Sequence, residues 1–300
     1  MTYNAHSDTN VDQKSSIISI IGKPNVGKST LLNNIIGQKI SIITPKAQTT
    51  RNVINGITTI DNTQLIFFDT PGIFNAKRSV DKNIVRQAWS SIHNAQHVIV
   101  MIDCTEPISE SVKNLLKQVS TQNINILIVI NKIDTKKNYL VPILQYVIEN
   151  NIKNIFQISA LTSKGVDQLL KYLVNNSHQS KWIYDQNTIT TLPMRFLITE
   201  LTREQLFLKL KQELPYNLII ENEQWETFKN GDIKINQIIK VTTKSHKKII
   251  LGKNGSMIKE VGEKTRKEIK QIYGINVHLF LFVKIDSNML DNHNIFSQIE

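Results

Sequence analysis

Lys28 and Ser29 close the octapeptide Gly22-Lys23-Pro24-Asn25-Val26-Gly27-Lys28-Ser29, which fits the pattern GxxxxGKS. These residue types suit a polyphosphate. Glycines let backbone N–H groups surround phosphate oxygens, a lysine ammonium reaches the β- and γ-phosphates, and a serine hydroxyl ligates Mg2+. The apolar run Ile17-Ile18-Ser19-Ile20-Ile21 reads as a buried strand, and Thr30-Leu31-Leu32 opens a helix. The positive end of that helix dipole would stand behind the phosphates.

Three further clusters follow apolar runs. Asp69-Thr70-Pro71-Gly72 comes directly after Leu65 to Phe68. Asp69 would hold Mg2+ through a water, and Gly72 lets its N–H approach a γ-phosphate. Asn131-Lys132-Ile133-Asp134 ends the run Ile126 to Ile130. The Asp134 carboxylate would accept from guanine N1–H and the N2 amino group, whereas adenine offers no such donors and would leave the charge unpaired. Such a site discriminates by roughly 10^4. Lys132 would lie along the base, and Asn131 would tie this loop to the phosphate loop. Ser159-Ala160-Leu161, at the next strand end, sets the Ala160 N–H where guanine O6 would receive it. The stretch Ser41 to Arg51, with Gln48-Thr49-Thr50-Arg51, reads as a mobile loop that closes a threonine hydroxyl onto Mg2+ when a γ-phosphate is present. Thr50 and Thr49 are both candidates.

The elements positioning these loops follow from periodicity. Buried-strand runs recur at 17–21, 65–68, 98–102, 126–130 and 155–158. Helical patterns separate most of them: Leu115, Leu116 and Val119 share one face, Val141, Leu144 and Val147 another, and Val166, Leu169, Leu170 and Leu173 make a closing helix. Alternation of this kind implies βαβ crossovers and a mostly parallel sheet. Residues 53–60 alternate only loosely, and Asp61-Asn62-Thr63 reads as a tight turn, so one antiparallel strand is expected at the sheet edge. After a polar stretch from Asn175, the order becomes a helix from Thr202 to Glu213, strands at 217–228 and 235–245, two helices around Gly252 to Gly255, and a strand at 277–285. The expected organisation is an unstructured start over 1–14, an α/β nucleotide domain over 15–178, a linker over 179–201, a small α+β domain over 202–286 and a tail over 287–300.

Gly252-Lys253-Asn254-Gly255 is a GxxG between two helices, a turn that can pass close to a single-stranded nucleic acid backbone. Lys253 and the helix start at Ser256 would face phosphate. Lys240, Lys244, Lys247, Lys248, Lys253 and Lys259 have no acidic residue among them in sequence and suggest a phosphate track. The net charge of +11 agrees with a polyanionic partner, nucleic acid or an anionic membrane surface. The longest apolar runs fall far short of the roughly 20 residues a spanning helix needs, and residues 2–14 lack the pattern of a secretory signal. A soluble chain is expected. The single cysteine, Cys104, suits a reducing cytosol and reads as a packed thiol.

In order, GKPNVGKST, QTTRN, DTPG, NKID and SAL resemble the Era family of bacterial ribosome-assembly GTPases. The resemblance extends through Trp182, Tyr184, Pro193 and Arg195-Phe196, then Glu213-Leu214-Pro215-Tyr216, and ends in ILGKNGSMIKEVGEKTRKEI. It implies a P-loop GTPase domain followed by a type II KH domain of αββααβ order. It implies GTP and GDP as ligands, and Mg2+ held by Ser29, Asp69 and a threonine such as Thr50. It also implies RNA contact through Lys248, Gly252, Lys253, Asn254, Gly255 and Ser256. The partner implied is the single-stranded 3′ end of 16S ribosomal RNA in the 30S subunit, for a cytoplasmic monomer with peripheral attachment to the inner membrane surface. Asn25 matches an asparagine with which members of this class use K+ near the β- and γ-phosphates. Ile73 stands where Ras-like enzymes carry a water-orienting glutamine, so slow intrinsic turnover is expected, with Lys28, Thr50, Gly72 and Asn25 as the catalytic set. Two other readings compete: a P-loop ATPase or kinase, against which Asp134 argues, and a GTPase whose C-terminal domain docks a protein or membrane.

Overall fold

The apolar runs form a sheet of seven strands: β1 (Lys14–Gly22), β2 (Ile54–Ile60), β3 (Thr63–Asp69), β4 (His97–Asp103), β5 (Asn125–Asn131), β6 (Asn154–Gln157) and β7 (His178–Gln179). The computed structural model describes residues 12–46, 49–50, 52–72, 89–122, 124–211 and 214–287. Residues 1–11 of the start expected over 1–14, Gln48, Arg51, Ile73, Glu213 and residues 288–300 of the expected tail lie outside these residues, while Lys14 already belongs to β1. Strand order is β2-β3-β1-β4-β5-β6, with β7 paired to β1. Neighbours from β3 through β6 are parallel, and β2 is the antiparallel edge strand, returned by a turn in which Asp61 takes φ 51°.

Between the strands come α1 (Lys28–Ile36), α2 (Glu110–Ser120), α3 (Leu140–Glu149) and α4 (Val166–Asn175). Val98 to Val100 and Leu127 to Ile130 are fully buried, as parallel strands covered on both faces must be. Val112, Leu115, Leu116 and Val119 of α2 pack in one cluster with Ile143 and Val147 of α3. Val141 does not join them: it is 62% exposed. A helix advances about 100° per residue, so Ile143 and Val147, four apart, share the inward face and Val141 falls opposite.

A second antiparallel pairing was not expected. The register of β1 with β4 begins only at Ile18, which leaves the edge of Lys14 and Ser15 open, and Gln179 and His178 of β7 fill it. The chain beyond β7 lies along the β2–β3 hairpin. The buried Gln64 side chain accepts from the N–H groups of Ile183 (2.9 Å) and Tyr184 (3.0 Å) and donates to the Tyr184 carbonyl (2.8 Å). Asn55 Nδ2 donates to Thr191 Oγ1 at 2.6 Å, the Trp182 indole N–H to the Asn62 carbonyl at 3.1 Å, and the Ile57 N–H to the Ile189 carbonyl at 2.8 Å.

The chain divides into two compact units: residues through Gly37 with Val53–Thr191, and Gln38–Asn52 with Leu192 onward. The loop over 41–51, expected inside the nucleotide domain, therefore counts with the second unit. That unit contains α5 (Met194–Lys209), β8 (Leu218–Thr227), β9 (Ile233–Val241), α6 (Lys244–Leu251), α7 (Ser256–Tyr273) and β10 (Val277–Ile285). Its sheet order is β10-β9-β8, with β9 parallel to β10 and antiparallel to β8. The helix expected from Thr202 to Glu213 starts instead at Met194, after Pro193, and ends at Lys209. Every residue from Phe196 to Phe207 except Glu200 is buried, among them Thr199, Thr202, Arg203, Glu204 and Gln205. A helix buried around its whole circumference has no polar stripe, so the amphipathic period is missing from its first half. On α7, Val261, Thr265 and Ile269 are buried, the core face that their spacing predicts. No helix among the described residues is long and apolar enough to cross a membrane.

Candidate nucleotide and RNA sites

The phosphate-loop candidates lie where β1 gives way to α1. Gly22 (φ 150°), Asn25 (φ 63°) and Gly27 (φ 102°) take backbone conformations that let the chain wrap tightly. The α1 N-terminus has Gly27 as its cap, a residue with no side chain to cap the first turn, so this end of the helix suits a phosphate. The Lys28 ammonium folds back onto the loop, donating to the carbonyls of Lys23 (2.9 Å) and Gly22 (3.3 Å). Burial depresses the Lys28 ammonium to about 8, against the pull of the nearby Asp69 carboxylate.

Asp69 ends β3 and is fully buried. The Ser29 hydroxyl donates to Asp69 Oδ2 at 2.6 Å. A hydroxyl and a carboxylate oxygen in contact at the start of α1 are the hard donors that Mg2+ takes, so these residues fit that ion. The Thr70 hydroxyl donates to the Ile20 carbonyl at 2.8 Å, which fixes the loop to β1. Gly72 abuts the phosphate loop: a Cβ there would stand 2.8 Å from the Pro24 nitrogen and ring.

Asn131, at the end of β5, joins three loops. Its Nδ2 donates to the Val26 carbonyl at 2.8 Å, and its Oδ1 accepts from the Ala160 N–H at 2.9 Å. Lys132 takes φ 67°, and Ile133 N–H donates to the Ile158 carbonyl at 3.2 Å, which ties the Asn131 loop to the one at Ser159. Asp134 and Leu161 are exposed, whereas Ser159 and Ala160 are buried, with Ser159 Oγ accepting from the Thr162 N–H at 3.1 Å. The carboxyl ends of parallel strands β1, β3 and β5 thus present the candidate residues on one side of the sheet, where open α/β folds bind ligands.

Asp103 escaped the sequence reading. Its Oδ2 lies 2.5 Å from Lys132 Nζ. Burial would raise the Asp103 carboxyl, but Lys132 and the hydrogen bonds from Thr105 outweigh it and hold the group below the usual carboxylate range. Asp103 ends β4 beside Asn131 in the sheet register, a neighbourhood that only folding creates. Cys104 is buried, and that burial pushes its thiol up, in keeping with a packed rather than a reactive group.

Thr49 and Thr50 belong to the second unit. The Thr49 hydroxyl pairs with that of Thr44 at 2.6 Å and donates to the Lys46 carbonyl at 2.8 Å, and Thr50 is buried.

In the same unit the GxxG turn separates α6 from α7. Gly252 (φ 73°), Asn254 (φ 52°) and Gly255 (φ 75°) all lie in the left-handed region. At Gly252 a Cβ would approach the Met257 nitrogen to 2.9 Å, so the turn closes only with glycine there. Lys248, Lys253, Asn254 and Ser256 are exposed, as are Lys244 and Lys259. Lys240 departs from the expected phosphate track: it pairs with Glu221 at 2.8 Å and with Asp286 at 3.7 Å. Strand pairing brings Glu221 across from β8, a neighbour that spacing along the chain does not reveal.

A phosphate loop, an aspartate behind it and an asparagine-centred base loop on a parallel sheet, followed by a KH-type αββααβ unit, define a GTPase with an RNA-binding module. Residues 17–132 match the family described as 50S ribosome-binding GTPase, and residues 213–290 match the KH domain. The chain belongs to the Era family of GTPases: it is 47% identical to GTPase Era of Rickettsia bellii over 289 residues, spanning 96% of this chain and 98% of that one. GTPase Era of Ehrlichia canis is 40% identical over 286 residues, covering 95% and 97%. Among solved structures, Era in complex with MgGDPNP and nucleotides 1506–1542 of 16S ribosomal RNA superposes with a TM-score of 0.90 at 32% identity, covering 96% of this chain and 98% of that one. A point variant of Aquifex aeolicus Era bound to GDP.AlF4- gives 0.89 at 33%, covering 96% and 99%.

Proposed function

We propose that this GTPase is a slow switch whose nucleotide state governs how its KH domain holds the single-stranded 3′ end of 16S ribosomal RNA, and that it thereby assists 30S subunit assembly. The observation that carries the nucleotide half is the Asn131 junction, since one side chain holds the phosphate loop and the Ala160 loop together. In the cleavage of GTP by water to GDP and phosphate, the Gly22–Ser29 backbone and the Lys28 ammonium hold the β- and γ-phosphates. The Gly72 N–H would face the γ-phosphate and Asp134 would read guanine, whereas the Ala160 N–H expected at guanine O6 is held by Asn131 Oδ1 in this structure. Ser29, Asp69 and Thr50 or Thr49 would hold Mg2+, which supplies positive charge against the developing phosphate charge. Ile73 contributes no polar group to orient water, in keeping with slow turnover.

The RNA half rests on the exposed Lys248, Lys253, Asn254 and Ser256 around the GxxG turn, and on the related Era described with 16S nucleotides 1506–1542. Competition of labelled GDP against GTP and ATP tests the first half: ATP must fail to displace it. A Lys253→Asp, Asn254→Asp variant tests the second, since full affinity for single-stranded RNA in that variant would refute RNA reading by this turn. Asn25 would hold K+ as an added charge near the β- and γ-phosphates, and equal turnover in K+ and Na+ buffers would remove that role. The same basic surface suits peripheral contact with an anionic membrane, to be read by co-sedimentation with phosphatidylglycerol vesicles. A single concentration-independent mass in sedimentation would support a monomer.

A further inference from the structure

Just beyond β5 one ammonium, that of Lys132, has two carboxylates to choose from: Asp103, brought across from β4, and Asp134, two residues along the chain. Lys132 Nζ donates to Asp103 Oδ2 at 2.5 Å. Asp103 is a fixed partner. Its other oxygen accepts from the Thr105 N–H at 2.9 Å and from the Thr105 hydroxyl at 2.7 Å, and its side chain is 10% exposed. The Cys104 N–H donates to the Asn131 carbonyl at 3.2 Å, which ties the end of β4 to the base loop through the main chain. The base loop is held as firmly: the Lys132 carbonyl accepts from the Thr135 N–H at 3.1 Å and from the Thr135 hydroxyl at 2.8 Å, closing a turn over 132–135. Asp134 is exposed in that turn, and its carboxylate makes no hydrogen bond or ion pair among the described residues. What is left to swing is the Lys132 side chain, a compact charge on a flexible stem.

We propose that Asp103 is a positioning residue for base recognition: by holding the Lys132 ammonium it keeps that charge off Asp134 and leaves the Asp134 carboxylate to guanine. The inference rests on the functional reading above, in which Asp134 accepts from the guanine N1–H and N2 amino group. An ammonium released from Asp103 stays tethered to the turn that carries Asp134, and the exposed carboxylate there is a partner of opposite charge. Guanine then has to displace an ion pair before it can donate. Adenine offers Asp134 no donor and gains nothing from a free carboxylate, so the loss falls on guanine nucleotides and the gap between the two bases narrows.

The test measures affinity for fluorescent GDP, with ADP as competitor and Mg2+ present, in the full chain and in Asp103→Asn, Lys132→Met and the double variant. Asparagine keeps an oxygen for Thr105 and loses the charge, whereas methionine keeps most of the stem and loses the ammonium. With Lys132 in place, Asp103→Asn is expected to weaken GDP by about fivefold or more, an ordinary size for coupling between residues in contact, while ADP does not weaken. In the Lys132→Met background the same change costs less than about twofold, because no ammonium is left to reach Asp134. A loss of equal size in both backgrounds overturns the proposal, since Asp103 would then act through the shape of its loop. GDP affinity unmoved by Asp103→Asn overturns it as well, and so does a loss that ADP shares equally. Should Asp103→Asn fail to fold, Thr105→Val, which removes one of the bonds fixing the carboxylate, carries the same comparison: weaker GDP binding with Lys132 present and no change in the Lys132→Met background. Failure of the unaltered chain to prefer guanine over adenine nucleotides would instead bring down the functional reading itself.

Discussion

At Lys28, burial and function pull the same ammonium in opposite directions. Its value of about 8 lies below the 10.5 of an exposed lysine, so between these values the unfolded chain keeps a proton that the nucleotide-free fold sheds. Stability of the free protein is predicted to rise with pH across that window, because the unfolded state binds more protons there. Phosphate needs the charged form. Binding above pH 8 must then take up a proton, so GDP affinity is predicted to be flat near pH 7 and to fall by up to about tenfold per pH unit above 8. Calorimetry in buffers of different ionisation heat reads that proton directly; no uptake at pH 9 would contradict the assignment. Lys28 itself was legible in the sequence because its neighbours Gly27 and Ser29 announce it. Asp103 and Glu204 were not, since what matters about each is a cation brought by folding: Lys132 for one and Lys39 for the other.

Among the elements, strands were the more legible class. The apolar runs of β1, β4 and β5 are short and continuous because helices bury both faces, and the loops at their ends were placed by the same runs. The α5 helix was half hidden, its buried Thr202, Arg203, Glu204 and Gln205 reading as a solvent-facing stretch, although each makes a hydrogen bond inside. The stretch expected as a linker proved similarly deceptive. Its polar backbone groups are answered by Gln64 and Asn55, residues of the β2–β3 hairpin more than a hundred positions earlier. Gln64→Leu would leave two N–H groups and a carbonyl of residues 183–184 without these partners. A loss of about 2–4 kcal/mol in unfolding free energy is expected from denaturant titration, together with faster proteolysis in 182–191. A stability within about 0.5 kcal/mol of the parent chain would mean that water replaces Gln64 at no cost.

Over the whole molecule, the charge of +11 acquires a location only once the pairs are known. Several acidic residues of the second unit are consumed internally: Glu260 by Lys209 and Lys264, Glu221 by Lys240, and Glu204 and Glu268 by Lys39. Lys244, Lys248, Lys253 and Lys259 remain exposed around the GxxG turn. RNA affinity is accordingly predicted to fall steeply with salt, the logarithmic slope gaining about 0.7 for each phosphate neutralised on a single strand. The Lys253→Asp, Asn254→Asp variant should flatten that slope as well as weaken binding, and an unaltered slope would place the phosphate contacts elsewhere.

The bond from the Ile57 N–H to the Ile189 carbonyl also bears on how the chain can be cut. It lays the chain at Ile189 against the outer margin of β2, the strand at the end of the sheet, whose outward backbone groups would otherwise be open to pairing. A fragment truncated after Ser177 would shed both β7 and this cover. Such a fragment would keep every nucleotide-facing residue of the first unit, yet expose a bare flank able to template pairing with other copies. Its self-association would be a product of the truncation, and a fragment extended to Thr191 would be the one to stay dispersed.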